Sequence, residues 1–87
     1  MELNLKSQFE QAIKDVESLR ERPSNDTLLL LYSLFKQATE GDNPNNPPEN
    51  PFDFVAKAKY DAWTSLKGKT SEAAMKEYVD LVGKLKS

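Results

Sequence analysis

Residues Tyr32 to Asp42 read YSLFKQATEGD, a stretch that sets two aromatic rings and a lysine on one helical turn and then runs into a glycine. Counting from Leu28, the residues Leu28, Tyr32, Phe35, Lys36 and Thr39 recur at i, i+4, i+7, i+8 and i+11, one continuous face at helical spacing. Leu30 and Leu34 add a second apolar row. A helix needs only about 100° of apolar surface to pack on a core. This one has more, so part of the surplus must cover something besides neighbouring helices, and a bound ligand is one candidate.

This central helix is expected from about Asn25 to Glu40. Ser24 or Asn25 caps it, Asp26 suits its positive end, and Gly41 serves as a left-handed closing residue. Asp42 to Pro51, DNPNNPPENP, then holds four of the five prolines and no aliphatic residue, which predicts an extended, ordered loop. The helix spans about 24 Å at 1.5 Å per residue. A loop of that length can reach up to about 33 Å, enough to run back along the helix, so the helices on either side of it can be parallel.

Upstream, Leu5, Phe9, Ala12, Ile13, Val16 and Leu19 mark an amphipathic first helix. Asn4 can cap it, or Ser7 with Glu10 as a capping box, and Arg22 before Pro23 closes it at about Arg20 to Glu21. Downstream, Asp53 caps a third helix that runs to about Lys67 and closes at Gly68. Its apolar face is Val55, Ala58, Ala62, Trp63 and Leu66, with Lys59 inside it. Either that lysine snorkels, its stem on apolar surface and its ammonium in water, or it binds an anion above an apolar floor. Thr70 or Ser71 caps a fourth helix with Glu72 in its first turn and a face of Met75, Tyr78, Val79, Val82 and Leu85, while Lys84 and Lys86 complement its negative end. Short links at Pro23 and at Gly68 to Lys69 force antiparallel pairs. The expected architecture is an all-α, four-helix bundle running up, down, down, up.

Composition narrows the function. Eighty-seven residues make one domain, 1–87, with one core. There is no cysteine and no histidine, which removes disulfides, thiolate metal sites and the usual general base. No nucleophile is paired with a base and no glycine loop cradles a phosphate, so no catalytic residue, metal or cofactor is expected. Twelve basic against fourteen acidic residues leave a net charge of −2, which argues against a nucleic-acid partner and makes any anion site local. Without an 18-residue apolar run or a signal-like leader, a soluble cytoplasmic protein with no stable membrane insertion is expected.

With these elements placed, Tyr32-Ser-Leu-Phe-Lys-Gln-Ala-Thr-Glu-Gly-Asp42, the proline-rich loop and Asp53-Phe-Val-Ala-Lys-Ala-Lys-Tyr-Asp-Ala-Trp63 resemble the signature of the acyl-CoA-binding protein family. Phe9, Pro23, the Leu-Lys-Gly at 66 to 68 and Ala74-Met-Lys-Glu-Tyr78 extend the likeness in the family's order and spacing, with about one extra residue in the central loop. The resemblance implies an up-down-down-up bundle that binds long-chain acyl-CoA esters without chemistry, as a monomeric carrier that meets acyl-CoA-using enzymes transiently. It implies that Tyr32, Phe35, Lys36, Lys59 and Tyr78 contact the nucleotide and its 3′-phosphate, and that Leu28, Leu29 and Val55 border the acyl chain. Three positions depart from the family pattern: Phe35 where tyrosine is usual, Glu17 where many members carry lysine, and Tyr60 in place of tryptophan. Two other classes stand beside this one. A helical protein-interaction module would use the wide face of the second helix to receive a partner helix. A small enzyme acting on acyl-CoA is disfavoured by the missing catalytic groups.

Overall fold

The computed structural model describes residues 4–44 and 47–86. Four helices, α1 (Leu5–Glu17), α2 (Asn25–Glu40), α3 (Phe54–Thr64) and α4 (Ser71–Lys86), make up its regular structure, with no strand among the described residues. Each start has a side-chain cap. Asn4 accepts the Ser7 N–H at 2.7 Å, so Ser7 lies inside α1 and Asn4 prevails over the capping box at Ser7 and Glu10. Ser24 accepts the Thr27 N–H at 3.2 Å, Asp53 the Ala56 N–H at 3.0 Å and Thr70 the Ala73 N–H at 3.1 Å.

Two helices stop short of their expected ends. At Ser18 the backbone N–H and the hydroxyl both donate to the Asp15 carbonyl at 3.1 Å, which tightens the last turn of α1 before Arg20 is reached. Past Thr64 the chain continues as i to i+3 turns, Leu66 N–H to Trp63 O and Lys67 N–H to Thr64 O, until Gly68 turns it at φ 92°. Gly41 differs from the expected closing residue in another way. Its φ is 79° but its ψ is −149°, an extended conformation that glycine alone visits readily, so the chain leaves α2 straight into the loop.

Side-chain contacts give the helix directions. Phe9 near the start of α1 packs edge-on against Tyr78 of α4 with ring centroids 5.1 Å apart, and Asp15 near the end of α1 pairs with Lys86 at the end of α4 at 3.1 Å. These two helices are therefore parallel. Phe9 also stacks on Phe35 in the second half of α2, and Gln37 of α2 donates to the Lys69 carbonyl just ahead of α4, so α2 runs against both. Trp63 near the end of α3 donates its indole N–H to the Gly41 carbonyl at 2.9 Å, which sets α3 parallel to α2. The order is up, down, down, up, as the reach of the proline-rich loop allows.

The core is three-helical. Phe9, Ala12, Leu31, Leu34, Ala38, Ala74, Tyr78 and Val82 form it, all from α1, α2 and α4. From α3, Trp63 alone is buried. Polar bonds hold α3 instead. Asn43 donates to Thr64 Oγ1 at 3.0 Å, and Asp42 accepts both the Gln37 amide at 2.8 Å and the Gly68 N–H at 2.9 Å. These two hydrogen bonds of one oxygen keep the Asp42 carboxyl below the usual carboxylate range, the Gly68 N–H contributing most. The molecule is accordingly flat, 47 × 29 × 15 Å, with α3 laid along one edge of α2. Among the described residues no helix is long and apolar enough to cross a membrane.

Candidate functional site

Because α3 meets only α2, the seam between them stays open. Its first part is a groove of about 630 Å³ with Leu28, Leu29 and Tyr32 on one wall, Phe54, Val55, Ala58 and Lys59 on the other, and Arg22 and Asn25 at the end towards Pro23. Its second part is a hollow of about 350 Å³ where Tyr32 and Glu40 face Lys59, Tyr60 and Trp63 under Asn43, Pro44 and Pro48 of the loop. Tyr32 and Lys59 belong to both, so the two parts form one trough, apolar towards the helix starts and charged and aromatic towards their ends.

Two ammonium groups stand over rings in this trough. Lys59 Nζ lies 5.2 Å from the centroid of the Tyr32 ring, and Lys36 Nζ lies 5.1 Å from that of Trp63. Lys36 also pairs with the Glu40 carboxylate one turn later. That bond raises the Lys36 pKa and partial burial works against it, so the group stays protonated. At the other end of the trough the rim is bare. Phe54 is 73% exposed and Val55 65%, with Phe52 beside them at 79%, an apolar patch with no cover of its own.

The structure therefore brings Leu28, Leu29, Tyr32, Val55 and Lys59 together in one groove, with Lys36 at the far end through Trp63 and Glu40. Phe35 and Tyr78 lie elsewhere. Both pack on Phe9, Phe35 stacked at 6.1 Å and partly exposed, Tyr78 edge-on and 5% exposed. Burial pushes up the Tyr78 phenol pKa, with a smaller push from the Glu17 carboxylate. Several wall residues had no sequence signal of their own. Phe54 sits next to a cap, outside the periodic face, and Glu40 reads as an ordinary solvated carboxylate. Trp63 was legible only as a core residue, although its spacing from Lys59 is one helical turn.

Chemically the trough offers fixed positive charge, flat rings and a hydrocarbon surface in sequence, which suits an amphipathic anion. It holds no nucleophile with a base, and among the described residues no cluster of acidic side chains could hold a metal. A further hollow of about 610 Å³ lies between the ends of α1 and α4. There Lys86 is paired with Asp15, whose carboxyl is held low by the Gln11 amide and then by Lys86, and Arg20 and Glu21 bring charges of both signs to the same wall.

Comparison with known proteins identifies the family and the fold. The family model described as acyl-CoA-binding protein matches residues 6–82. An acyl-CoA-binding protein homologue of Drosophila melanogaster is 51% identical over 75 residues, which are 86% of each chain. Enoyl-CoA delta isomerase 2 of Rattus norvegicus is 48% identical over 91% of this chain, but the match takes up only 20% of that longer protein. The crystal structure of acyl-CoA-binding protein 2 from Oryza sativa superposes with a TM-score of 0.87 at 36% identity, covering 94% of this chain and 90% of that one.

Proposed function

This chain belongs to the acyl-CoA-binding protein family, and on that premise we propose that it binds long-chain fatty acyl-CoA esters non-covalently, as a carrier and pool former in the cytoplasm. The observation that carries the assignment is the polarity of the trough. Leu28, Leu29 and Val55 line its apolar part, and Tyr32 and Lys59 follow towards the other end, where the wall residues Trp63 and Glu40 contact Lys36.

In this reading the acyl chain lies along the groove and covers the bare rim at Phe54 and Val55. Removing such side chains from water is worth about 25 cal/mol per Å² of apolar surface, a gain that the ligand's hydrocarbon collects on binding. Lys59 and Lys36 meet the phosphates, since charge-assisted hydrogen bonds to phosphate are about twice as strong as neutral ones. Tyr32 presents its ring to the flat base from the trough, and Phe35, partly exposed where it stacks on Phe9 outside the trough, offers a second ring, with Tyr78 packed edge-on against the same Phe9. Binding proceeds without chemistry, as the family assignment supports. The protein acts as one acyl-CoA-binding domain and as a monomer, meeting acyl-CoA-using enzymes only to exchange ligand.

Calorimetry with palmitoyl-CoA and with palmitate tests this. One-to-one binding of the ester with far weaker binding of the free acid is expected, because the tail alone finds only an open groove. Comparable affinity for both would replace the nucleotide-anchored site with a general lipid binder, and heat from neither would leave the protein-interaction module.

A further inference from the structure

Glu40 is the last residue of α2, whose final turn carries no basic side chain. A carboxylate there opposes the helix dipole, which favours cations at that end. It pairs with Lys36, four residues earlier, and a lysine N-terminal to a glutamate is the weaker order for such a pair. The pair is also partly solvated, with side chains 25% and 52% exposed, so it adds little to stability. Helix formation therefore gives no reason for an acid at this position.

Its location gives one. Glu40 is on the wall of the hollow that Tyr32, Lys59 and Trp63 share, and its carboxylate occupies the ammonium of Lys36. The Trp63 ring lies 5.1 Å from that ammonium and attracts it as well. A phosphate that reaches Lys36 shares the ammonium with a carboxylate already bound to it, or displaces that carboxylate, and in either case remains beside it.

We infer that Glu40 is an internal competitor for the ligand's phosphate at Lys36, an affinity-lowering residue that lets the site release its ligand more readily. The inference rests on the acyl-CoA assignment above and adds to it. In a carrier, tight binding slows release, because affinity differences between related complexes are mostly differences in off-rate. An acid that pairs with Lys36 as the phosphate leaves shortens the residence time.

The test measures palmitoyl-CoA binding and dissociation in the wild type, Glu40→Gln, Lys36→Ala and the double variant, each at low and high salt. Glu40→Gln should tighten binding about three- to tenfold at low salt, mainly through slower dissociation, and less at high salt where the charges are screened. In the Lys36→Ala background the gain should largely vanish, because the competition needs the lysine. An unchanged affinity for Glu40→Gln at low salt, with the wild type binding normally, overturns the role of Glu40 and leaves the acyl-CoA assignment standing. An equal gain with and without Lys36 also overturns it, in favour of a general repulsion between carboxylate and ligand. Failure of the wild type to bind removes the assignment and the inference together.

Discussion

The two sides of α2 are used in opposite ways. One side sends Leu31, Leu34 and Ala38 into a closed core with Phe9, Ala12, Ala74, Tyr78 and Val82 from α1 and α4. The other sends Leu28, Leu29, Tyr32 and Lys36 towards α3 and leaves them partly exposed. On α3 the asymmetry continues, with Trp63 buried while Phe54, Val55 and Lys59 remain open. A fully buried leucine or phenylalanine contributes about 1.5–3 kcal/mol relative to an exposed one, so the closed side supplies the stability. The open side leaves apolar area exposed and holds its two ammonium groups near rings, one of them also paired with Glu40. One helix does both because its apolar arc is wider than packing requires.

The sharpest way to break this contrast is to damage the closed side alone. Leu34 is 2% exposed and lies away from the trough, so Leu34→Ala should destabilise the protein by about 2–5 kcal/mol. The urea midpoint should fall at an unchanged slope, while the molecules that remain folded keep their ligand affinity. A variant that loses affinity and keeps its midpoint would show that the two sides are not separate.

Damage to the open side should do the reverse. Each charge-assisted hydrogen bond to phosphate is worth about 1.5–3 kcal/mol, so Lys59→Ala should weaken palmitoyl-CoA binding roughly ten- to a hundredfold. The urea midpoint should move by no more than about 0.5 kcal/mol equivalent, as for most exposed positions. Lys36→Ala should behave alike, and the two losses should be non-additive if one anion bridges both ammonium groups. If Lys59→Ala instead lowers stability and spares affinity, its stem is covering apolar surface and Lys59 belongs with the packing residues.

The smallest effect concerns the residue that joins the two sides. Asp42 accepts from Gln37, which is buried beside the core, and from Gly68 in the link between α3 and α4. Its carboxyl is held below the ordinary value in the folded state. The stabilisation is therefore fully present above the ordinary carboxylate pKa and is lost as pH falls through the lower folded value. Asp42→Asn should melt slightly below the wild type at about pH 7, and the gap should start to narrow as the pH falls past the ordinary Asp value of about 3.9 and close only below the lower folded value. A gap that stays constant with pH would mean that the charge of Asp42 plays no part in the link.

Much of this was legible in advance, for identifiable reasons. The end of α2 follows from Gly41 and the start of α3 from Asp53, and the starts of α2 and α4 are fixed to within one residue, Ser24 or Asn25 and Thr70 or Ser71, because a side-chain cap is a contact between residues three apart. The ends of α1 and α3 were not legible. They depend on a Ser18 hydroxyl that takes up a helix carbonyl, and on i to i+3 turns that compete closely with the α-helix at Ser65 to Gly68. The motif residues Leu28, Leu29, Tyr32, Val55 and Lys59 share one groove, while Tyr78 lies in the core, since helical spacing marks a face without saying what covers it.

Periodicity, caps and the reach of a ten-residue loop are local quantities, so four helices and their up-down-down-up order can be worked out from the chain alone. Where α3 rests on α2 is not local. It depends on Trp63 to Gly41, Asn43 to Thr64 and Asp42 to Gly68, hydrogen bonds between residues 21 to 26 positions apart. Those bonds form at the helix ends and leave the seam open along its length, and that leaves Phe54 bare and sets Lys36 between Trp63 and Glu40. No pattern along the chain encodes such a gap, because an apolar residue facing a groove and one facing a core have the same spacing.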